Sequence, residues 1–190
     1  MNLAQLVHAT RSCRRFREDE PVSSETLHRL IDLARLSGSA KNLQPLKYLV
    51  ACTPEKNAAI FPHLGWAGYL PEWPGPAAGE RPAAYIVCLL DTEIAAEAAC
   101  DLGIASQNIL LGATEIGLAG CRIASISGRL HQAINLPDQL QILLVIALGH
   151  PREEVCLEEA GTNDDIRYWR TPDRVHHVPK RRLADIIIEG

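Results

Sequence analysis

The chain has 190 residues, 47% hydrophobic and 22% charged, with a formal net charge of −4 at pH 7; that length supports one good core and is short for two, so residues 1–190 read as a single domain. An acidic total with no aromatic-interleaved basic stripe argues against a nucleic-acid footprint, and the longest apolar run, Ile142 to Leu148, falls far short of the ~20 residues of a membrane-spanning helix. Six cysteines without CxxC spacing, and ends that read as neither signal peptide nor address motif, fit a reducing compartment, so the expectation is a cytoplasmic protein engaging neither nucleic acid nor membrane.

In chain order, Leu3, Leu6 and Val7 give a short apolar helical face, and Leu27, Leu30, Ile31 and Ala34 repeat it more strongly. Ser23 or Ser24 is the expected cap of that second helix, with Glu25 complementing its dipole. Between the two helices lies Arg11-Ser12-Cys13-Arg14-Arg15-Phe16-Arg17, four arginines in seven residues. Like charges packed this tightly need either full solvation or an anion that several can share, and the planar guanidinium fork suits phosphate oxygens. A second basic knot, Lys180-Arg181-Arg182, lies near the other end.

The polar segment Gly38 to Pro45 leads into a predicted strand, Leu46 to Cys52. Phe61 to Pro82, rich in Pro and Gly and carrying Trp66, Tyr69 and Trp73, reads as an irregular but packed excursion of the kind that covers sites. Ala83 to Leu90 is a second buried strand, and Ile94, Ala98, Leu102, Ala105, Ile109 and Ile116 predict a long helix of small residues, expected to be central to the fold. Gly117 to Gly120 ends that helix; Cys121 to Ile126 is extended; Leu130, Ala133 and Ile134 mark a short helix before Pro137. Ile142 to Leu148 is a third buried strand, after which a polar stretch leads to His176-His177-Val178-Pro179 and a last apolar piece, Leu183 to Ile188. So apolar a tail is expected to pair with something, a second subunit included.

The sequence has no GxGxxG after a strand, no GxxxxGK[ST], no HExxH and no GxSxG, which argues against a Rossmann dinucleotide site, a P-loop, a zincin and a serine hydrolase. His176 and His177 are adjacent, so on a strand they point apart, and structural use is the favoured reading over a metal site. No catalytic side chain and no metal ligand is assigned.

Four motifs in order, Arg11-Ser12-x-Arg14-x-Phe16, Ser39-Ala40-x-Asn42-x-Gln44-Pro45, Gly117-Leu118-x-Gly120 and Leu148-Gly149-x-Pro151, together resemble the nitroreductase family of FMN-dependent oxidoreductases over essentially the whole chain. The resemblance implies an α+β fold, a mixed central β-sheet flanked by helices, and a homodimer with FMN sites at the subunit interface. It implies FMN as cofactor, NAD(P)H as electron donor and a small aromatic acceptor, such as a nitro compound or quinone, reduced by a ping-pong mechanism. Carried over by position, Arg11 and Ser12 reach the FMN phosphate and Arg14 the pyrimidine edge. Asn42 and Gln44 contribute from the partner subunit, the backbone at Ala124 and Ser125 faces flavin N5, and Lys180 or Arg182 closes on the phosphate. Thr10 departs from the pattern, standing where many relatives carry another Arg. Three alternatives remain at this level: an FMN-binding storage or regulatory protein without NAD(P)H turnover, a flavin-destroying or dehalogenating relative, and an anion-binding interaction protein without flavin.

Overall fold

The computed structural model describes residues 1–190. Its elements are α1 (Leu3–Ala9), β1 (Phe16–Arg17), α2 (Ser24–Arg35), β2 (Leu46–Ala51), α3 (Pro54–Ile60), β3 (Ala84–Asp91), α4 (Ala99–Glu115), β4 (Ala119–Ile123), α5 (Leu130–Ala133), β5 (Leu140–Pro151), β6 (Val155–Ala160), β7 (Trp169–Arg170) and β8 (His176–Arg181). The fold is α+β. The larger sheet runs β1-β5-β3-β2 with β4 also on β5, and a smaller sheet runs β6-β8-β7. Parallel pairing enters at β6–β8 and at an isolated Ser12–Gly120 bridge; the named pairs of the larger sheet are antiparallel.

Period-two alternation on β3 explains the layering. Ile86 and Cys88 point into a core shared with Leu27, Leu30, Ile109 and Ala113 of α2 and α4. Tyr85, Val87 and Leu89 point the other way, into a core with Phe16, Ile60 and Leu130. The sheet is therefore apolar on both faces, and each fully buried aliphatic side chain contributes about 1.5–3 kcal/mol. The continuous apolar runs at β3 and β5 follow from this two-sided burial.

Local chemistry sets the boundaries. Ser23 caps α2, its Oγ accepting the Thr26 N–H at 3.0 Å. Helix α4 starts at Ala99, later than its apolar pattern predicts, because the chain turns at Asp91, whose carbonyl accepts the N–H groups of Ile94 and Ala95. It ends at Gly117, whose φ of +81° is the left-handed conformation a helix stop needs, with the Leu118 N–H returning to the Ala113 carbonyl. Two features depart from the sequence reading. The stretch after Pro151 contains β6 and β7, and the tail forms a 3-10 turn at Leu183–Asp185 that leaves Ile186, Ile187 and Ile188 exposed.

The excursion from Phe61 to Pro82 is packed, as its composition predicts. Trp66 lies near Phe61, with ring centroids 6.0 Å apart, and the Arg81 guanidinium covers the Phe61 ring. Its last residues dock on the arginine run through Phe16 N–H to the Glu80 carbonyl.

Candidate functional site

The four clustered arginines go to different places, and their partners differ accordingly. Arg15 turns inward and makes a two-pronged contact with Glu80, Nε to Oε2 at 2.8 Å and Nη2 to Oε1 at 2.7 Å. Arg17 stays at the surface beside Glu20. Arg11 and Arg14 face a cleft of 320 Å³, which Ser12, Arg122 and Lys180 also line. None of Arg11, Arg14, Arg122 and Lys180 is in an ion pair. No Asp or Glu lines this cleft; its remaining walls are Thr10, Gln107, Leu110, Tyr168, His176 and Val178.

Backbone geometry brings these residues together. The Cys13 N–H donates to the Gly120 carbonyl at 3.0 Å, and Ser12 bridges Gly120 in parallel, so the arginine run lies along β4. Gly120 permits this approach: a Cβ there would lie 2.8 Å from the Ala147 carbonyl oxygen and 2.6 Å from a Leu110 methyl. The alternation of β4 buries Cys121 and Ile123 and leaves Arg122 on the open side. Arg122 is aimed by Ser106 Oγ, 2.8 Å from its Nε, and Gln107 Oε1, 2.7 Å from its Nη2. Sequence reasoning assigned Arg122 no role; its exposed position within a buried alternation was the available signal.

Arg14 is held from several sides. Its backbone N–H donates to Glu153, whose other oxygen takes the Arg170 Nη2 at 2.8 Å. Its Nη1 lies 3.1 Å from His176 Nε2, and its guanidinium sits over the Tyr168 ring at 4.8 Å. Tyr168 in turn packs on Tyr69 of the excursion at 4.9 Å, so that segment reaches the cleft from outside.

The electrostatics favour an anion. Burial lowers the pKa values of Arg11 and Arg122, and Arg11 Nε is buried without a hydrogen-bond partner. Partly desolvated cations without carboxylates are most readily satisfied by phosphate oxygens, which accept several charge-assisted hydrogen bonds at once. Thr10, where another arginine was expected, gives its hydroxyl to the Leu6 carbonyl at 2.7 Å. By contrast, Cys13 is a buried, inert thiol, pushed up to about 12 chiefly by desolvation.

The other sequence-derived positions lie outside this cleft. Asn42 and Gln44 sit on the loop before β2, where Gln44 Nε2 donates to Asn42 Oδ1 at 3.1 Å. Gln44 lines a separate cleft of 390 Å³ with Ser39, Lys47 and Asp101. That loop is tied to α4 by Asp101, whose Oδ2 accepts from Ser39 Oγ at 2.5 Å and whose Oδ1 accepts the Ala40 N–H at 3.1 Å. Three of its non-glycine residues, Lys41, Asn42 and Gln44, have positive φ. Ala124 and Ser125 follow β4, and the Ser125 carbonyl accepts the Gly65 N–H at 2.8 Å. Of the basic knot, Lys180 lines the cationic cleft, Arg181 donates to the Thr162 carbonyl, and Arg182 turns to Asp185 at 3.4 Å.

A family model described as the nitroreductase family matches residues 7–150. Among curated proteins, one from Archaeoglobus fulgidus with a provisional NADH dehydrogenase/NAD(P)H nitroreductase name is 25% identical over 181 residues, 90% of this chain and 95% of its own length. The NADPH-flavin oxidoreductase of Vibrio harveyi is 25% identical over 168 residues, 79% of this chain and 66% of its own. Among solved structures, a nitroreductase family protein from Clostridium novyi NT superposes with a TM-score of 0.67 at 25% identity, over 80% of this chain and 88% of that one.

Proposed function

The chain belongs to the nitroreductase family, and from that premise we propose that it is an NAD(P)H-dependent FMN oxidoreductase whose FMN lies along the cleft lined by Arg11, Ser12, Arg14, Arg122 and Lys180, with its phosphate on Arg11, Ser12 and Lys180. The observation that carries the reading is the convergence of four basic residues without an ion-pair partner, Arg11, Arg14, Arg122 and Lys180, on one cleft that no Asp or Glu lines, whereas their neighbour Arg15 is taken up by Glu80. The donor set suits a phosphate monoester. When bound, FMN supplies the electron-carrying chemistry, accepting reducing equivalents from NAD(P)H and delivering them to a small aromatic acceptor in a second, ping-pong half-reaction.

The residues of the chain bind, orient and adjust charge. Arg11, Ser12 and Lys180 hold the phosphate, with Arg182 as the alternative basic contact. Arg14 meets the pyrimidine edge, where a fixed cation stabilises the charge that reduction creates. The backbone at Ala124 and Ser125 faces the N5 side. Asn42 and Gln44 lie on a different surface from the cationic cleft, which suits their contributing from the partner subunit of a homodimer. The exposed Leu183, Ile186, Ile187 and Ile188 supply apolar surface for that association. One flavin-binding domain spans 1–190, and the six free cysteines suit a reducing cytoplasm.

Purified protein is expected to be yellow, to release FMN rather than FAD on denaturation, and to lose its flavin absorbance on anaerobic addition of NADH or NADPH. FAD as the main species, no flavin after reconstitution, or a flavin that neither nicotinamide reduces would overturn the reading. Arg11→Ala should weaken FMN retention most, and Arg14→Ala should weaken reduction most. Sedimentation of full-length protein and of a chain lacking Leu183 to Gly190, with flavin absorbance followed in the same run, tests the dimer. A full-length monomer with bound FMN would refute it.

A further inference from the structure

Arg14 is the only cation of the cleft whose guanidinium is fixed by an imidazole. His176 opens β8 and is fully buried, with Nε2 3.1 Å from Arg14 Nη1. Guanidinium groups only donate, so His176 must accept through Nε2, which places its proton on Nδ1. Nδ1 is buried without a partner, so the site retains an unsatisfied donor in order to keep this arrangement. The imidazole also packs against Tyr168, at 5.1 Å between ring centroids, and Tyr168 lies under the Arg14 guanidinium.

We infer that His176 is a positioning residue that aims the Arg14 guanidinium into the cleft while leaving its positive charge unquenched. The inference rests on the flavin-edge role proposed for Arg14. The chemical distinction is between a neutral acceptor and an anionic one. A carboxylate at this position would orient Arg14 equally well and cancel its charge, as Glu80 does for Arg15. Neutral imidazole takes one hydrogen bond, and the other guanidinium donors and the net charge remain available. The surroundings keep it neutral. The titratable and charged groups near it are Arg14 itself, Arg170 on β7, His177 on its own strand, and Glu153, which accepts from the Arg14 backbone N–H and from Arg170. Desolvation, then Arg14, Arg170 and His177, push His176 down to about 4, so it accepts throughout the neutral range.

Two substitutions separate positioning from packing. His176→Phe keeps an aromatic ring against Tyr168 and removes the acceptor; His176→Gln restores an acceptor at similar reach. The measurement is the dissociation constant of FMN from each protein in the oxidised and the anaerobically reduced state. With His176→Phe, affinity for reduced FMN should fall about tenfold more than affinity for oxidised FMN, equivalent to a drop of about 30 mV for a two-electron couple. His176→Gln should return the ratio to within about threefold of the unmodified protein. Arg14→Ala should shift the ratio in the same direction, and adding His176→Phe to it should change the ratio no further. If Arg14→Ala leaves the ratio unchanged, the flavin-edge role fails and the inference fails with it. If Arg14→Ala shifts the ratio and His176→Phe does not, the inference alone is overturned. Should His176→Phe not fold, the ¹⁵N shifts of His176 in the intact protein decide: an Nδ1–H tautomer at neutral pH supports the assignment, and an Nε2–H tautomer rules it out.

Discussion

In the larger sheet β3 buries every residue from Ala84 to Leu90, whereas in the smaller sheet β8 buries only His176 and Pro179 of its six. The first is held by apolar packing on both faces. The second is held by polar and aromatic contacts: Glu153 with Arg170, Glu158 with His177 at 2.7 Å, Trp169 stacked on His177 at 4.9 Å, and Arg170 over Trp73 at 4.5 Å. Apolar packing depends on volume and tolerates pH; hydrogen-bonded charge is the reverse. The layer that covers the cationic cleft is thus the part of the molecule most responsive to its solution conditions.

Four measurements would break or sharpen this contrast. The largest effect is expected from Glu153→Ala, which strips a fully buried carboxylate from Arg170 and from the Arg14 N–H. Breaking such a pair costs about 3–5 kcal/mol. Hydrogen exchange should show opening of β6, β7 and β8 while β3 and β5 remain protected, and equal loss in both sheets would erase the distinction. Ile146→Ala, at a fully buried position of β5, should cost about 2–5 kcal/mol in urea unfolding and lower protection throughout the larger sheet.

The third is a pH dependence. His176 has a folded pKa near 4, against 6.5 for an ordinary imidazole. Between those values the unfolded chain binds a proton that the folded chain does not, so stability falls as pH drops from about 6.5 toward 4, by up to about 3 kcal/mol. Urea midpoints at a series of pH values should show this slope, and His176→Gln should flatten it. The smallest effect is expected for Arg17→Ala, whose side chain and that of its partner Glu20 are largely solvated: within about 0.5 kcal/mol by the same unfolding assay, in contrast to buried Arg15 on the mostly covered Glu80 side chain.

Legibility in the sequence follows the range of the interactions. The Ser23 cap, the Gly117 stop and the runs of β3 and β5 depend on residues close in the chain, and each was readable there. Strand β6 was not, because Glu158 and Glu159 interrupt a short alternation and its pairing is parallel to β8, a connection no local turn announces. At the cleft, the run Arg11 to Arg17 called for either solvation or a shared anion but could not say which arginines face the cleft. That division depends on Glu80 arriving from the excursion to take Arg15. Tyr168 and His176 were unreadable as neighbours of Arg14, since the residue just before β7 and the first residue of β8 reach it from more than 150 residues away in sequence.

The loop carrying Asn42 and Gln44 has a consequence for any effort to improve this protein by selection. Left-handed backbone costs most non-glycine residues on the order of 1–3 kcal/mol and Asn little, and Lys41, Asn42 and Gln44 all adopt it on an exposed segment anchored by Asp101. A search for thermal robustness would therefore favour glycine at Lys41 and Gln44. The second of these would remove an amide side chain, so laboratory evolution under heat alone is expected to trade away Gln44, and following yellow colour through the same selection tests the flavin contact proposed for it.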